Sequence, residues 1–518
     1  MARAYDPKLG QRSLFDALVE AAETHGLNKE ILEDQDRKPL SYRDMIRACF
    51  ALGRKIAAMT KPGEHVALLL PTSAGGAVTF FALHAIGRVP VMLNFTSGTR
   101  NLKAALVLTE ARLVLTSRRF LAQARLEELA ADLETAARVV YLKTCGPRSA
   151  WPTSSTPPRL ARPPALFRKA TRPTDPGVIL FTSGSFASPR GVVLTQANVV
   201  SNAEQTAAVI DIDPAWTLFN PLPIFHALGL VATVLPLLRG VKTFLYPSPL
   251  HTKMVVDLVR DCKADVLVST DTFLGQYARA ADPGDLSGPD LRVLRRGEGA
   301  RAHPRPDGRE VRAGEAGGGL WRHRGQPGDH GQSLDDNRIH TVGRLLPGIE
   351  VRLQPVDGIP EGGRLFVRGP NVMLGYLDAS GLEPPPEGWH DTGDVVALEP
   401  DGYLRLLGRA KRFAKIGGEM ISLQAVEDMA ASLWPDCWRA VVSAPDRKKG
   451  ERLVLVTDAG HASAQALLAH AEAIGAPLIA VPRKVVKVGE PLPARHRQDR
   501  LRRRAADRGR RKLIKRGY

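Results

Sequence analysis

Between Val66 and Phe95 the chain carries its most apolar stretch, and Pro71, Gly75, Gly76, His84, Arg88 and Pro90 interrupt it. A helix that crosses a bilayer needs about 20 predominantly apolar residues in succession. The stretch is therefore expected to be buried core, assembled from short elements separated by turns. The runs HVALLLP, AVTFFALHAIG and VPVMLNF each end at Gly, Pro or a polar residue, the texture of an α/β layer.

The same texture begins at Ser13 with the amphipathic LFDALVEAA and extends to Val140. It returns from Gly177 to about Arg292, with strands expected at GVILF, LFNPLP, KTFLYP and ADVLVS. From Ile339 to Leu407 it gives way to short alternating segments, GIEVRLQPV, GRLFVRG and DVVALEPDGYLRLLG. Asp401-Gly402, set between alternating apolar residues, marks a hairpin. A small α/β unit follows from Arg409 to about Val488. A chain of 518 residues has ample length to bury a large core. Cys49, Cys145, Cys262 and Cys437 show no paired spacing, which argues against a disulfide framework or zinc ribbon and for a reducing compartment. The start MARAYDPKLGQRSLFDALVE lacks a leader pattern, so a cytoplasmic protein is expected.

The net charge of +18 suggests at first nucleic acid or an anionic membrane. Its distribution argues otherwise. Residues 491–518 hold 12 Lys/Arg against 2 acids, residues 144–169 five against none, and residues 295–333 eight against five. Together these segments account for the whole excess, and the remainder is neutral. All three also lack hydrophobic periodicity. Residues 144–169 are Pro/Ser/Arg-rich, residues 295–333 Gly/Arg-rich, and residues 491–518 an arginine-rich tail with Tyr518 as its one aromatic residue.

Ile179 to Asn198, ILFTSGSFASPRGVVLTQAN, is the stretch most suggestive of chemistry. An apolar strand enters a Thr/Ser/Gly loop, and a basic residue precedes a second apolar run. Such a loop offers backbone N–H groups and hydroxyls with little side-chain obstruction, as a polyphosphate requires. Three further motifs follow in order: FNPLPIFHALGL with His226, WHDTGD ending at Asp394, and GRAKRFAKIGGE from Gly408 to Glu419. Together they resemble the adenylate-forming (AMP-binding) superfamily over roughly residues 13–488. Within it, NRIHTVGRLLPGIEVRLQPV, GGRLFVRGPNVMLGYL and KGERLVLVT are similar to the acyl–acyl-carrier-protein synthetase half of bacterial 2-acylglycerophosphoethanolamine acyltransferase.

The resemblance implies an α/β fold with a β-rich subdomain: a large AMP-binding domain over 13–407, a small α/β domain over 408–490 and a basic tail over 491–518. It implies ATP and Mg²⁺ as cofactors, a long-chain fatty acid as substrate, and acyl carrier protein (or CoA) as acceptor. It further implies peripheral association with the inner membrane face and no nucleic-acid partner. Thr182, Ser183, Gly184, Ser185, Arg190 and Gly191 would form the phosphate loop. Asp394 would hold the ribose hydroxyls, and Arg409 ribose and phosphate. His226 would face the acyl–adenylate, Lys415 would lie near the thiol donor, and Lys411 and Arg412 would mark the hinge. The plain readings stand beside these: a satisfied core histidine, a turn carboxylate and an exposed lysine.

Two motifs that the resemblance requires are missing. A Tyr-Gly-x-Thr-Glu, whose Glu helps hold Mg²⁺, should stand shortly before Asn337; a C-terminal Gly-x-Gly-Lys, whose Lys drives adenylation, should stand near Gln498. Phe186, Ala187 and Arg190 also depart from the small-residue and lysine pattern of the loop. A shifted reading frame accounts for the lost motifs. Read one nucleotide later with suitable synonymous codons, Gly319–Gln332 permits Gly-Tyr-Gly-Val-Thr-Glu-Ala-Ser-Pro-Val-Ile-Met-Val. Ala494–Arg503 likewise permits Leu-Gly-Thr-Gly-Lys-Thr-Asp-Tyr-Val, and Thr144–Ser155, shifted by two, permits Leu-Arg-Pro-Ser-Ile-Gly-Leu-Ala-Asp-Lys-Leu. The single codon of Trp321 forces Gly at its place in the shifted text. As written, the chain is expected to be an impaired synthetase. The rival readings are a fatty acyl-CoA ligase and a catalytically dead adenylate-fold protein that binds anionic partners through its tail.

Overall fold

The computed structural model describes residues 5–142, 171–181, 189–282, 286, 341–409 and 412–488, apart from 357–358, 360, 417–418, 436, 447–449, 475 and 477. It also describes the backbone of the strand residues 292–296, 303–304, 310–311 and 330–331. The basic segments 144–169 and 491–518, and all but those strand residues of 295–333, lie outside the described residues. The chain divides into two compact units, Met1–Glu350 with Val367–His390, and Val351–Phe366 with Asp391–Tyr518.

The first unit is built on two sheets. An eight-stranded sheet runs in the order 381–383, 375–378, 191–195, 176–181, 89–92, 65–69, 113–116, 138–141. A six-stranded sheet runs 292–296, 266–270, 217–220, 242–245, 30–34, 40–41. The runs HVALLLP and VPVMLNF supply the parallel strands His65–Leu69 and Val89–Met92, and AVTFFALHA supplies most of the helix Ala74–Ala85 between them. That helix is buried on almost every side, which explains its near-continuous apolar text. Ser73 caps it by accepting the Gly76 N–H at 3.2 Å.

The largest core cluster contains Leu14, Tyr42, Phe80, Phe81, Leu180, Val200 and Leu237, drawn from helices and from strands of both sheets. The opposite face of the eight-stranded sheet has its own core, with Leu69, Val91, Leu102, Val114, Ile179 and Val193. Between the two sheets' text lies an unusual helix, Gln196–Val209, whose polar residues Gln196, Asn198, Ser201, Asn202, Glu204, Gln205 and Thr206 are all buried. Their burial is tolerable because many are bonded: Glu204 pairs with Arg12 at 2.8 Å and Arg239 at 3.2 Å, and Gln205 donates to the Pro347 carbonyl at 2.7 Å.

The strands 350–354, 363–368, 390–398 and 404–409, most of whose residues belong to the second unit, form a four-stranded sheet. The hairpin expected at Asp401-Gly402 is present. Gly402 has φ +87°, and the Glu399 N–H donates to the Tyr403 carbonyl at 2.8 Å. A five-stranded sheet follows, with 439–446, 450–457 and 484–487 paired around the core of Val426, Ala430, Leu455 and Leu467. Among the described residues no helix is long and apolar enough to cross a membrane. Cys49, Cys262 and Cys437 are free thiols, and burial pushes the Cys262 thiol up to about 11.

Candidate active site

The strands 65–69, 89–92, 113–116, 138–141 and 176–181 run parallel, so their carboxyl ends share one edge. The strands 30–34, 217–220, 242–245, 266–270 and 292–296 do the same in the second sheet. Ligands of α/β sheets bind in the crevice outside such carboxyl ends. Here the two edges meet. Thr72, just past the strand 65–69, donates its hydroxyl to the Leu222 carbonyl at 2.9 Å and accepts the Ile224 N–H at 2.9 Å. Asp34, at the end of the strand 30–34, accepts the Ala74 N–H at 3.0 Å, a carboxylate at a helix N-terminus. Burial nevertheless pushes the Asp34 carboxyl above its ordinary value.

This edge positions His226. The loop leaving strand 217–220 is fixed by Asn220, whose carboxamide donates to the Gly229 carbonyl at 3.0 Å and accepts the Leu222 N–H at 3.0 Å. Gly229 is required by packing. A Cβ there would sit 2.1 Å from the Pro223 carbonyl oxygen, so any side chain would push the loop off the helix Ala227–Leu238. His226 is the N-cap of that helix and is half-buried; the apolar text around it suggests deeper burial. The helix start explains the difference, because it turns the chain at the rim of the core. Phe225 is buried beneath the imidazole at 4.7 Å between centroids, and Phe95 packs edge-on against both Phe225 at 4.9 Å and Phe120 at 5.1 Å.

The phosphate-loop residues Thr182, Ser183, Gly184 and Ser185 lie outside the described residues, as does Lys411. Both flanks of the loop are described. It leaves the strand Pro176–Phe181 at a carboxyl end and re-enters at Gly191, in the antiparallel strand Gly191–Thr195. Gly191 is closely flanked, with Ile179 Cγ2 and Leu377 Cβ at 3.2 and 3.4 Å from where a Cβ would stand. The Arg190 guanidinium lies 4.0 Å over the Tyr376 ring and pairs with Glu383 at 2.7 Å and Asp378 at 3.6 Å.

Asp394 and Arg409 belong to the second unit and face each other in the ladder between strands 390–398 and 404–409. Asp394 is buried, and its N–H donates to the Thr392 hydroxyl at 3.2 Å, which in turn donates to the Leu365 carbonyl at 2.6 Å. Gly393, with φ +67°, turns the backbone just before it. Lys415 lies in the strand 413–416 opposite Met420. Arg412 is paired with Glu427, whose carboxylate also accepts the Val441 N–H at 2.7 Å. Thr72 and Phe95 stand in none of the chemical motifs, and Asn220 stands within FNPLPIFHALGL without an assigned role. Only Asn220 leaves a trace, a polar residue closing the apolar LF before a proline.

The AMP-binding enzyme family matches residues 18–377, well over half of the chain. The chain belongs to that family. This AMP-binding enzyme is 29% identical to the feruloyl-CoA synthase of an Amycolatopsis species, covering 80% of this chain and 82% of that one. It is 28% identical to the medium-chain fatty-acid–CoA ligase of Escherichia coli K12, over 53% and 50%. O-succinylbenzoate coenzyme A synthetase (MenE) from Bacillus subtilis, solved in complex with ATP and magnesium ion, shares its fold. The TM-score is 0.73 at 20% identity, covering 92% of this chain and 96% of that one. The adenylate-forming architecture expected from the motifs is thus the architecture of this AMP-binding enzyme.

Proposed function

We propose that this lineage activates a long-chain fatty acid with ATP as acyl-AMP and passes the acyl group to a phosphopantetheine thiol. A carboxylate is a poor acyl donor. Its attack on the α-phosphorus yields a mixed anhydride and releases pyrophosphate; a thiol then attacks the carbonyl, forming the thioester and releasing AMP. Positioning and charge neutralisation supply most of the first step. In this reading Thr182, Ser183, Gly184, Ser185 and Gly191 cradle the phosphates, Asp394 holds the ribose, and Arg409 binds ribose and phosphate. His226 faces the acyl–adenylate, and Lys411 and Arg412 form a hinge that lets the small domain, with Lys415, serve the second step.

The observation that carries the proposal is that the strand Pro176–Phe181, which leads into the Gly/Ser text, and the strand 217–220, which leads to the His226 helix, end on neighbouring carboxyl-end edges, in a chain of this family. Two acceptors carry the same thiol. The motifs after Asn337 favour acyl carrier protein, and the names of the curated relatives favour CoA. Among the described residues no group of three or more His, Cys, Asp or Glu could hold a metal ion. Mg²⁺ is proposed as the counter-ion of bound ATP, and no step is assigned to it.

Fatty-acid-dependent AMP release, with CoA and carrier protein offered in competition, tests the activity and ranks the acceptors. The chain as written should release AMP near background. Resequencing the codons for residues 140–170, 290–340 and 488–518, then expressing the in-frame text, should restore turnover. AMP release that stays at background in a restored chain overturns the proposal.

A further inference from the structure

The Arg190 side chain occupies a built receptor. Its guanidinium stacks 4.0 Å over Tyr376, bonds Glu383 at 2.7 Å and faces Asp378 at 3.6 Å. All three partners belong to one hairpin, 375–378 with 381–383, in which Tyr376 stands opposite Glu383. The same hairpin is hydrogen-bonded to the strand that Arg190 leads into, with Leu377 opposite Gly191 and Tyr376 opposite Val192. The next position along that ladder brings Asp378 beside Arg190. Asp378 is itself fixed, accepting the Ser380 N–H at 3.0 Å and the Ser380 hydroxyl at 2.5 Å. A planar fork that stacks on a ring while pairing with carboxylates is a task arginine performs and lysine does not.

We infer that Arg190 is a positioning residue anchored by Tyr376, Asp378 and Glu383, and that it is not itself a phosphate ligand. The anchor fixes the start of the strand Gly191–Thr195, and so the point at which the Gly/Ser loop rejoins the sheet. Arginine in place of the lysine that the family pattern has at this point is then a matched change with the acidic hairpin. The inference rests on the reading of that loop as a nucleotide site, and it gives the hairpin a role in shaping it.

The test is a double-mutant cycle in the full chain, comparing Arg190→Ala, the pair Asp378→Asn with Glu383→Gln, and all three together. Two readouts are used: thermal midpoint without nucleotide at low salt, and the dissociation constant for ATP with Mg²⁺. An anchor predicts that Arg190→Ala and the carboxylate pair each weaken ATP binding by about three- to tenfold, with the triple variant no weaker than either. It also predicts a non-additive loss of thermal midpoint. A phosphate ligand would behave differently: Arg190→Ala would lose affinity, while freeing the guanidinium from its carboxylates would leave ATP binding equal or tighter. That result overturns the inference. If neither the unaltered chain nor the restored in-frame chain binds ATP, the nucleotide reading fails, and the midpoint cycle still decides the anchor, additive losses overturning it.

Discussion

The loop from Asn220 to His226 and the side chain of Arg190 are both held beside carboxyl-end edges of the first unit, but by opposite means. The loop is held by neutral hydrogen bonds from Asn220 and Thr72, both almost completely buried. Arg190 is 42% exposed and is held by charges, with Glu383 65% exposed. Buried neutral bonds are costly to break, because an orphaned donor or acceptor has no water to turn to. Exposed ion pairs are cheap to break and are screened by salt. The fold thus offers a rigid wall at His226 and an adjustable contact at Arg190.

The largest effect should come from the rigid side. Asn220→Ala removes three bonds at once, to the Gly229 carbonyl, the Thr233 hydroxyl and the Leu222 N–H. A loss of about 3 kcal/mol in urea unfolding is expected, since the Leu222 N–H is left buried without its acceptor. A loss under about 0.5 kcal/mol would show that the loop is held elsewhere and would end the contrast.

His84 tests the same buried layer through pH. Its Nδ1 lies 3.1 Å from the Gln196 carboxamide, its ring packs 4.5 Å from Phe80, and burial pushes its pKa down to about 3. The native histidine therefore stays neutral while the unfolded one takes a proton below its ordinary 6.5. The unfolded state binds more protons across that window, so stability falls as pH drops from 6.5 toward 3. At pH 5 the loss should be about 2 kcal/mol. In His84→Gln the difference in stability between pH 7 and pH 5 should shrink by that amount. An unchanged difference would show that His84 does not carry it. Thr72→Val comes next, at about 1–2 kcal/mol, because the hydroxyl serves the Leu222 carbonyl and the Ile224 N–H together.

The contrast also shows what a sequence discloses. The α/β sheets were legible from punctuated apolar runs, because burying such runs leaves few alternatives; the Asp401-Gly402 hairpin was legible because only a tight turn places Gly there at φ +87°. The half-buried state of His226 was not legible, because a helix start leaves no periodic mark one residue upstream. The partners that fix it, Thr72 and Asn220, are 148 residues apart in the text and meet only through the two sheets. The charges around Arg190 were invisible for a related reason. Nothing in the sequence marks Asp378 and Glu383 before the register places their hairpin beside Gly191. Four of the loop's expected phosphate contacts, Thr182 to Ser185, fall outside the described residues and remain proposals of the motif.

The smallest expected effect belongs to the adjustable side, and it depends on solvent conditions more than on packing. Glu383→Gln should lower the thermal midpoint slightly at low salt, and the difference should vanish near 1 M salt, where screening acts over about 3 Å. Thr72→Val should keep its full deficit at both salt concentrations, since neither of its bonds carries charge. Acid should separate the two sides as well. Hydrogen bonds from Ser380 and the nearby Arg190 hold the Asp378 carboxyl below its ordinary 3.8. Its contribution is thus complete above pH 3.8 and fades only as the pH falls below it, whereas the His84 deficit is already developed at pH 5. A Glu383→Gln deficit that persists in 1 M salt would mean that Glu383 contributes through packing or neutral hydrogen bonding and not through charge, and the two walls of the site would then differ in depth but not in kind.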